Sequence, residues 1–253
     1  MTSVIFNGTG SSTGVPQLFC DCEVCSLKDP RNKRTRFSIT IIEKETVLQV
    51  DFPFEMRQQL LKSGVDHITG AWLTHPHSDH LSGIDDLRMA SFRNGTPLPF
   101  FLNRETYEIA ATRYPYLFFE NEYLTRPFLR PIILDGTPVD LENLHIVPIR
   151  HMHGEMVVSS LRIGDFALVA DISSIEESEF RKLAGVKTLA IAATVHKVHP
   201  RHFNLNQVIE FIDKISPDRA YLTHMNHTFD YEETLALLPD GTLPATDGLR
   251  IEF

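Results

Sequence analysis

The chain has 253 residues, a formal net charge of −9 and three cysteines. That length buries a sizeable core without staples, three thiols are too few for a disulfide scaffold, and an acidic balance with no basic block disfavours a protein that grips nucleic acid through its surface field. No apolar run approaches the roughly 18 residues of a membrane span, and MTSVIFNG lacks a basic start ahead of a long apolar stretch, so a cytoplasmic protein with no membrane partner is expected.

SVIF, FSITII and TVLQV open the chain as strands. Between the first two lies GTGSSTG, whose glycines lack G-x-G-x-x-G spacing and lead into cysteines where a phosphate-binding helix would have to start, which excludes a dinucleotide site. FEMRQQLLKSG then carries apolar residues at helical spacings, ITGAWL reads as a strand, and IDDLRMASF and RETYEIAATR read as helices. The aromatic- and proline-rich segment Arg113 to Pro131 fits neither period. It is either packed on the core or a lid or homodimer contact, since aromatic and arginine side chains are enriched at such surfaces. LHIVPI, VVSSLRI, FALVA, TLAIAA and RAYLTH follow as strands, with SIEESEFRKLAG and LNQVIEFIDKIS as helices among them. Without an internal repeat, linker or composition shift, the expectation is one α/β domain over residues 1–253, two sheets packed together with helices outside.

The chemistry starts at THPHSDH, which follows the strand ITGAWL and precedes a helical pattern, so it sits in a loop where side chains can converge. Histidine and aspartate are poor core residues, and neutral imidazole with carboxylate suits zinc, manganese or iron. With histidine at about 5% and aspartate at about 6%, H-x-H-x-D-H arises on the order of once in 600 random chains of this length, so accident is a weak explanation. His75 and His77 can reach one ion from an extended segment, while Asp79 and His80 can reach a second beside it. Further metal-capable residues close other strands: His151 and His153 after LHIVPI, Asp171 after FALVA and His224 after RAYL. One edge of the sheets would then carry the site.

THPHSDHLSG, a downstream histidine, a strand-ending VAD and a late LTH together resemble the metallo-β-lactamase superfamily over nearly the whole chain. The resemblance implies an αββα four-layer sandwich with two divalent ions, zinc or manganese or else iron. It implies His75, His77 and His153 on one ion, Asp79, His80 and His224 on the other, and Asp171 bridging, with His153 favoured over His151. Asp51, ending TVLQV, resembles the buried aspartate that orients the metal loop from behind.

Cys20, Cys22 and Cys25 in LFCDCEVC lie close enough to hold one soft ion, and in a reducing compartment a metal is favoured over a disulfide. A closed structural zinc site wants four ligands, and Cys3His is a standard set. THMNH places His227 three residues after His224, which makes it the candidate fourth ligand and gives a structural zinc loop over about residues 18–28. C-x-C-x2-C with a late H-x2-H resembles the PhnP-type phosphodiesterases, which are similar to the tRNase Z group.

That branch implies hydrolysis of small, often cyclic phosphodiesters such as ribosyl cyclic phosphate, by a hydroxide held between the ions. His202 in VHPRHFNLNQ matches the leaving-group acid of the family's H-P-x-H stretch, so His202 and Asp79 are the expected catalytic side chains, with His199 a weaker candidate for substrate contact. Two departures bear on substrate shape: Phe52 and Pro53 follow Asp51 where the family has glycine, and His151 to Met156 is atypical. A tRNase Z-like nuclease is the first alternative, weakened by the absence of a basic, Gly/Pro-rich arm. A thioester hydrolase would leave His202 without a role, and a metal-stabilised binding protein would have no need of open coordination positions.

Overall fold

The computed structural model describes residues 1–120 and 126–253. Among them, one sheet contains β1 (Thr2–Gly8), β2 (Ser38–Glu43), β3 (Thr46–Val50), β4 (Gly70–Trp72), β5 (Leu98–Leu102) and β6 (Leu129–Ile133). The second contains β7 (Val139–Leu141), β8 (Leu144–His153), β9 (Met156–Ile163), β10 (Phe166–Val169), β11 (Thr188–Ala192), β12 (Arg219–Thr223) and β13 (Thr242–Pro244). The last strand, β14 (Leu249–Glu252), returns to the first sheet beside β1. The strand orders are β14-β1-β2-β3-β4-β5-β6 and β13-β12-β11-β10-β9-β8-β7. Each sheet is antiparallel at its hairpin end and parallel beyond it, from β3 to β6 and from β10 to β13.

Alternation along the strands builds four layers. In β5, Phe101 joins Phe6, Trp72, Phe166 and Tyr221 between the sheets, while its neighbour Phe100 packs outward with Phe52 and Leu117. In β10, Phe166 and Leu168 face the first sheet and Ala167 and Val169 face the helix Leu205–Ile215 through Val208 and Phe211. Both faces are covered, which is why these strands read as continuous apolar runs. The architecture is the expected αββα sandwich. Trp72 Nε1 donates to the Ser159 carbonyl at 2.7 Å and Ser159 N–H donates to the Thr74 carbonyl at 2.9 Å, so the sheets are pinned together beside the start of the THPHSDH loop.

The helices FEMRQQLLKSG, RETYEIAATR and LNQVIEFIDKIS form over Met56–Ser63, Arg104–Arg113 and Leu205–Ile215. Gly64 ends the first at φ 72°, and Asn204 with Gln207 closes a capping box on the last. SIEESEFRKLAG differs from its helical reading: it makes one turn over Glu177–Phe180 and a 3-10 turn over Arg181–Leu183. Arg162 Nη1 takes the carbonyls of Lys182 and Ala184 at 2.6 and 2.8 Å, which stops the helix there. LPFFL and LRPII are strands although proline interrupts both. Pro99 precedes the residues of β5 that pair with β4, and Pro131 lies on the edge strand β6, so neither ladder needs the missing N–H. Within Arg113 to Pro131, Leu117, Phe118 and Phe128 are buried against the outer helices, whereas residues 121–125 lie outside the described residues. No helix among the described residues is long and apolar enough to cross a membrane.

Candidate metal centre

Five strand ends meet at one edge of the sandwich: Asp51 after β3, the loop after β4, His153 at the end of β8, Asp171 after β10 and His224 after β12. Asp51 and His224 have φ of 55° and 58°, a left-handed backbone that costs non-glycine residues about 1–3 kcal/mol and clusters at functional sites. Gly83 lets the metal loop sit close: a Cβ there would fall 2.2 Å from the Pro53 carbonyl oxygen, and its N–H donates to the Phe52 carbonyl at 2.7 Å. Phe52 N–H in turn donates to the His80 carbonyl at 2.6 Å, so the Phe52–Pro53 pair is used to seat the loop.

The hydrogen bonds around the imidazoles decide which nitrogens face the centre. His153 Nδ1–H donates to the Arg201 carbonyl at 2.7 Å, and His80 Nδ1–H donates to Asp51 Oδ2 at 2.6 Å. His75 Nδ1–H donates to Thr74 Oγ1 at 3.0 Å, because that hydroxyl spends its own proton on Asp51 Oδ2 at 2.8 Å. His224 Nδ1–H donates to Thr194 Oγ1 at 3.1 Å. Each of these rings therefore turns Nε2 inward. His80 Nε2 and His224 Nε2 stand 3.2 Å apart, and His75 Nε2 stands 3.0 Å from His77 Nδ1. Lone pairs facing at such distances repel unless a cation lies between them, and ligands about 2.0–2.1 Å from a tetrahedral ion sit about 3.3 Å from each other.

The carboxylates complete the set. Asp79 Oδ2 lies 3.3 Å from His80 Nε2 and 3.4 Å from His224 Nε2, while Asp171 Oδ1 is 3.3 Å from His224 Nε2 and Asp171 Oδ2 is 3.9 Å from His153 Nε2. Asp171 Oδ1 is buried with no hydrogen-bond partner. The donor atoms form overlapping groups, His75–His77–His153, His75–His80–Asp171 and Asp79–His80–His224, each within 4.8 Å. Burial raises carboxyl pKa values, yet the imidazoles His80 and His224 hold Asp79 well below the usual range, and His224, His80 and His75 do the same for Asp171. Burial pulls His75 far below its ordinary value, whereas His80 is held above it against burial by Asp79 and Asp51. Divalent metal fits this set.

His202 is brought to the same place. Its Nδ1 lies 3.8 Å from Asp171 Oδ2, its ring centroid is 4.5 Å from that of His153, and burial lowers its pKa to about 4. With His153 and Asp171 it forms a further donor group, so geometry alone allows it to hold metal. His151 points elsewhere: it is buried, its Nε2 is 2.7 Å from Ser160 Oγ, and it belongs to no donor group.

The cysteine loop forms a second cluster. Cys20, Cys22 and Cys25 place Sγ at 3.2, 3.5 and 3.8 Å from His227 Nδ1, close to the roughly 3.6 Å between nitrogen and sulfur on one tetrahedral zinc. Cys25 is buried and accepts the Gln17 N–H at 3.3 Å. The N–H of Cys25 bonds to Cys22 and is the main reason the Cys22 pKa falls to about 7, while burial pushes Cys25 up to about 11.

Sequence reasoning missed Thr74, Thr194, Ser160 and the Arg201 carbonyl, which set tautomers without any pattern of their own. Only the position of Thr74 beside His75 offered a signal.

A sandwich with these donors at its strand ends defines a metallo-β-lactamase-fold hydrolase. The chain matches the family described as beta-lactamase superfamily domain over residues 46–225. Its structure is similar to that of a diphosphatase from the PhnP family, with a TM-score of 0.93 and 30% identity over 100% of this chain and 98% of that one. Human tRNase Z, short form, is similar in fold alone, with a TM-score of 0.71 and 17% identity over 99% and 98% of the two chains. An octanoyltransferase of Porphyromonas gingivalis (strain ATCC BAA-308 / W83) is 32% identical over 97% of this chain and 50% of that protein. The chain spans about half the length of the curated relatives it matches. It belongs to the beta-lactamase superfamily, in the PhnP-type branch.

Proposed function

We propose that the protein hydrolyses a phosphate linkage in a small substrate, as a phosphodiesterase holding two divalent ions. The observation that carries this reading is the arrangement of His202 beside two adjoining donor groups, one of His75, His77 and His153 and one of Asp79, His80 and His224, with Asp171 between them. Divalent ions bound there supply a water of lowered pKa and positive charge against the phosphate oxygens.

The chain's own residues supply the rest. Thr74, Thr194, Asp51 and the Arg201 carbonyl hold the imidazoles with Nε2 inward before substrate arrives, so no reorganisation is needed during reaction. Burial keeps His202 neutral near pH 7. Its Nδ1 lies 3.8 Å from Asp171 Oδ2 without a hydrogen-bond partner, and the ring stands beside the donor groups where it can hydrogen-bond a departing oxygen. Cys20, Cys22, Cys25 and His227 hold a structural zinc that ties the N-terminal loop to the wall of the site, which suits a reducing cytoplasm. The acidic chain favours a small molecule over nucleic acid as partner. Arg113 Nη1 donates to the Pro76 carbonyl at 2.8 Å, linking the start of the aromatic segment to the metal loop.

The test is turnover of bis-p-nitrophenyl phosphate, cyclic nucleotides and ribosyl cyclic phosphate by protein loaded with zinc, manganese or iron. His202→Ala should lower turnover about 10²- to 10⁴-fold with metal content retained. Loss of metal in that variant would make His202 a ligand instead, and no turnover by any loaded form would favour a binding protein. Acyl-thioester hydrolysis is the second reading, favoured by the relative named octanoyltransferase. An octanoyl thioester in the same panel separates it.

A further inference from the structure

Most of the two outer faces of the sandwich is apolar. Outward residues of β4 and β5, such as Ala71, Leu98, Phe100 and Leu102, and of β10 to β12, such as Val169, Ile191 and Leu222, pack against helices. The first sheet changes character at β1, β2 and β3. Their inward residues Phe6, Ile39, Ile41, Leu48 and Val50 join the core between the sheets, while the outward ones that alternate with them are Asn7, Ser38, Thr40 and Gln49, all buried. The helix Met56–Ser63 covers this face, where a Cβ on Gly8 would fall 2.3 Å from Gln59 Nε2. An amide shut away from water is costly unless its hydrogen bonds are made, so a polar layer where apolar side chains serve elsewhere calls for a use.

The hydrogen bonds of this layer run toward the metal loop. Asn7 Nδ2 donates to Thr40 Oγ1 at 2.7 Å, and Thr40 Oγ1 donates to Gln49 Oε1 at 2.7 Å. Gln49 Nε2 then donates to Ser38 Oγ at 2.6 Å and reaches two main-chain carbonyls, that of Asp51 at 2.9 Å and that of Val50 at 3.2 Å. Carbonyls only accept, so the NH2 side of the amide must face them. Neighbouring carbonyls of a regular strand point away from each other, and one nitrogen serves both here because Asp51 has left the strand conformation, at φ 55°. A left-handed non-glycine residue persists only where its surroundings over-determine it. The Gln49 amide does so from inside the sheet, on the same residue whose carboxylate accepts from His80 Nδ1, Thr74 N and Thr74 Oγ1 at 2.6, 2.8 and 2.8 Å.

We propose that Gln49 is a positioning residue for the metal centre: by clamping the Val50 and Asp51 carbonyls it holds Asp51 in the turn from which its carboxylate aims His80 into the donor cluster. This rests on the reading of divalent metal at these donors and is independent of the substrate. The line of contact is short. It runs from Gln49 to the Asp51 main chain, from the Asp51 carboxylate to His80 and Thr74, and from Thr74 Oγ1 to His75 Nδ1 at 3.0 Å. An apolar side chain of equal length at position 49 would leave the Asp51 carbonyl with only the more distant Ser38 Oγ, at 3.3 Å. Gln59 supplies the contrast: it is the same amide, buried in the same layer, but its Nε2 donates to Thr35 Oγ1 and the Arg36 carbonyl, both at 2.8 Å, and not to Asp51.

The test compares wild type, Q49M and Q59M by calorimetric affinity for manganese, a hard ion that the thiolates of the cysteine loop do not favour, and by the His80 Nδ1–H proton resonance of the zinc-loaded protein. Both variants should lose a similar part of their resistance to urea, since each gives up one buried amide. Q49M should also weaken manganese binding about 3- to 10-fold, less than the loss of a direct partner of a ligand brings, and should shift the His80 resonance. Q59M should leave both where they are in wild type. Equal changes in the two variants, or unaltered manganese affinity and resonance in Q49M, would overturn the role of Gln49 and leave the metal reading standing. If Q49M does not fold, S38A reads the same two signals from the neighbouring hydroxyl: weaker affinity with a shifted resonance upholds the role, and unchanged values overturn it. Wild-type protein that binds neither manganese nor zinc at these donors would overturn the metal reading and the proposal together.

Discussion

The two clusters of metal-capable residues are built on opposite plans. The histidine and aspartate donors stand at strand ends in the buried sandwich edge, and nearly every ring is held by a hydrogen bond from behind, as Asp51 holds His80 and Thr194 holds His224. The cysteine cluster rides on a loop with Cys20 and Cys22 half-buried, its sulfurs meeting one another, His227 and the N–H groups of Gln17 and Cys25. The first is preorganised by the fold. The second would gain a fixed shape from a bound ion.

Removing a rear support should therefore hurt the first cluster most. Asp51 is fully buried and accepts from His80 Nδ1, Thr74 N and Thr74 Oγ1 at 2.6, 2.8 and 2.8 Å. Asp51→Ala strands these donors, and a loss of about 3–5 kcal/mol is expected in urea unfolding, with metal affinity down about 10- to 100-fold. Unaltered metal binding would mean that the ligands hold their own geometry.

His151 tests the buried wall next to the donors through pH. Burial lowers its pKa to about 4 from the usual 6.5. Above pH 6.5 folded and unfolded chains both hold it neutral and its contribution is complete. Between pH 6.5 and 4 only the unfolded chain takes up the proton, so stability drops as pH falls, by about 1.4 kcal/mol per unit and on the order of 3 kcal/mol in all. His151→Gln should flatten that part of the stability profile relative to wild type, measured by unfolding at matched pH.

The loop cluster should respond locally. Cys25→Ser should cost about 2 kcal/mol and open residues 12–30 to proteolysis, read by mass spectrometry of a timed digest. The smallest effect is in reactivity of reduced, metal-free protein. Cys22, with a pKa of about 7, should be alkylated first and reach half its maximal rate near pH 7, while Cys25, at about 11 and buried, should lag. Equal rates would show that the thiols share one environment.

Legibility in the sequence followed the same division. The paired sheets and most strands could be read from apolar runs, and the H-x-H-x-D-H loop with Asp171 and His224 from their places at strand ends, whereas the choice of His153 over His151 came from the family resemblance alone. LPFFL and LRPII hid behind proline, because only the pairing pattern reveals that those N–H groups are not needed. Asp51 behind His80 was expected, but the partners of His153 and His224 were invisible, since a threonine hydroxyl and the Arg201 carbonyl carry no spacing signal and depend on distant strands meeting.

The turn from His224 to His227 joins the two plans. Met225 between them donates its N–H to the Thr9 carbonyl at 2.9 Å and accepts the Ser11 N–H at 3.1 Å. That makes the short span a stiff lever riveted to the β1 extension, with a sulfur-bound clasp at one tip and a deep imidazole at the other. A metal held by the cysteines would thus anchor the outer end of the very span whose inner end carries His224.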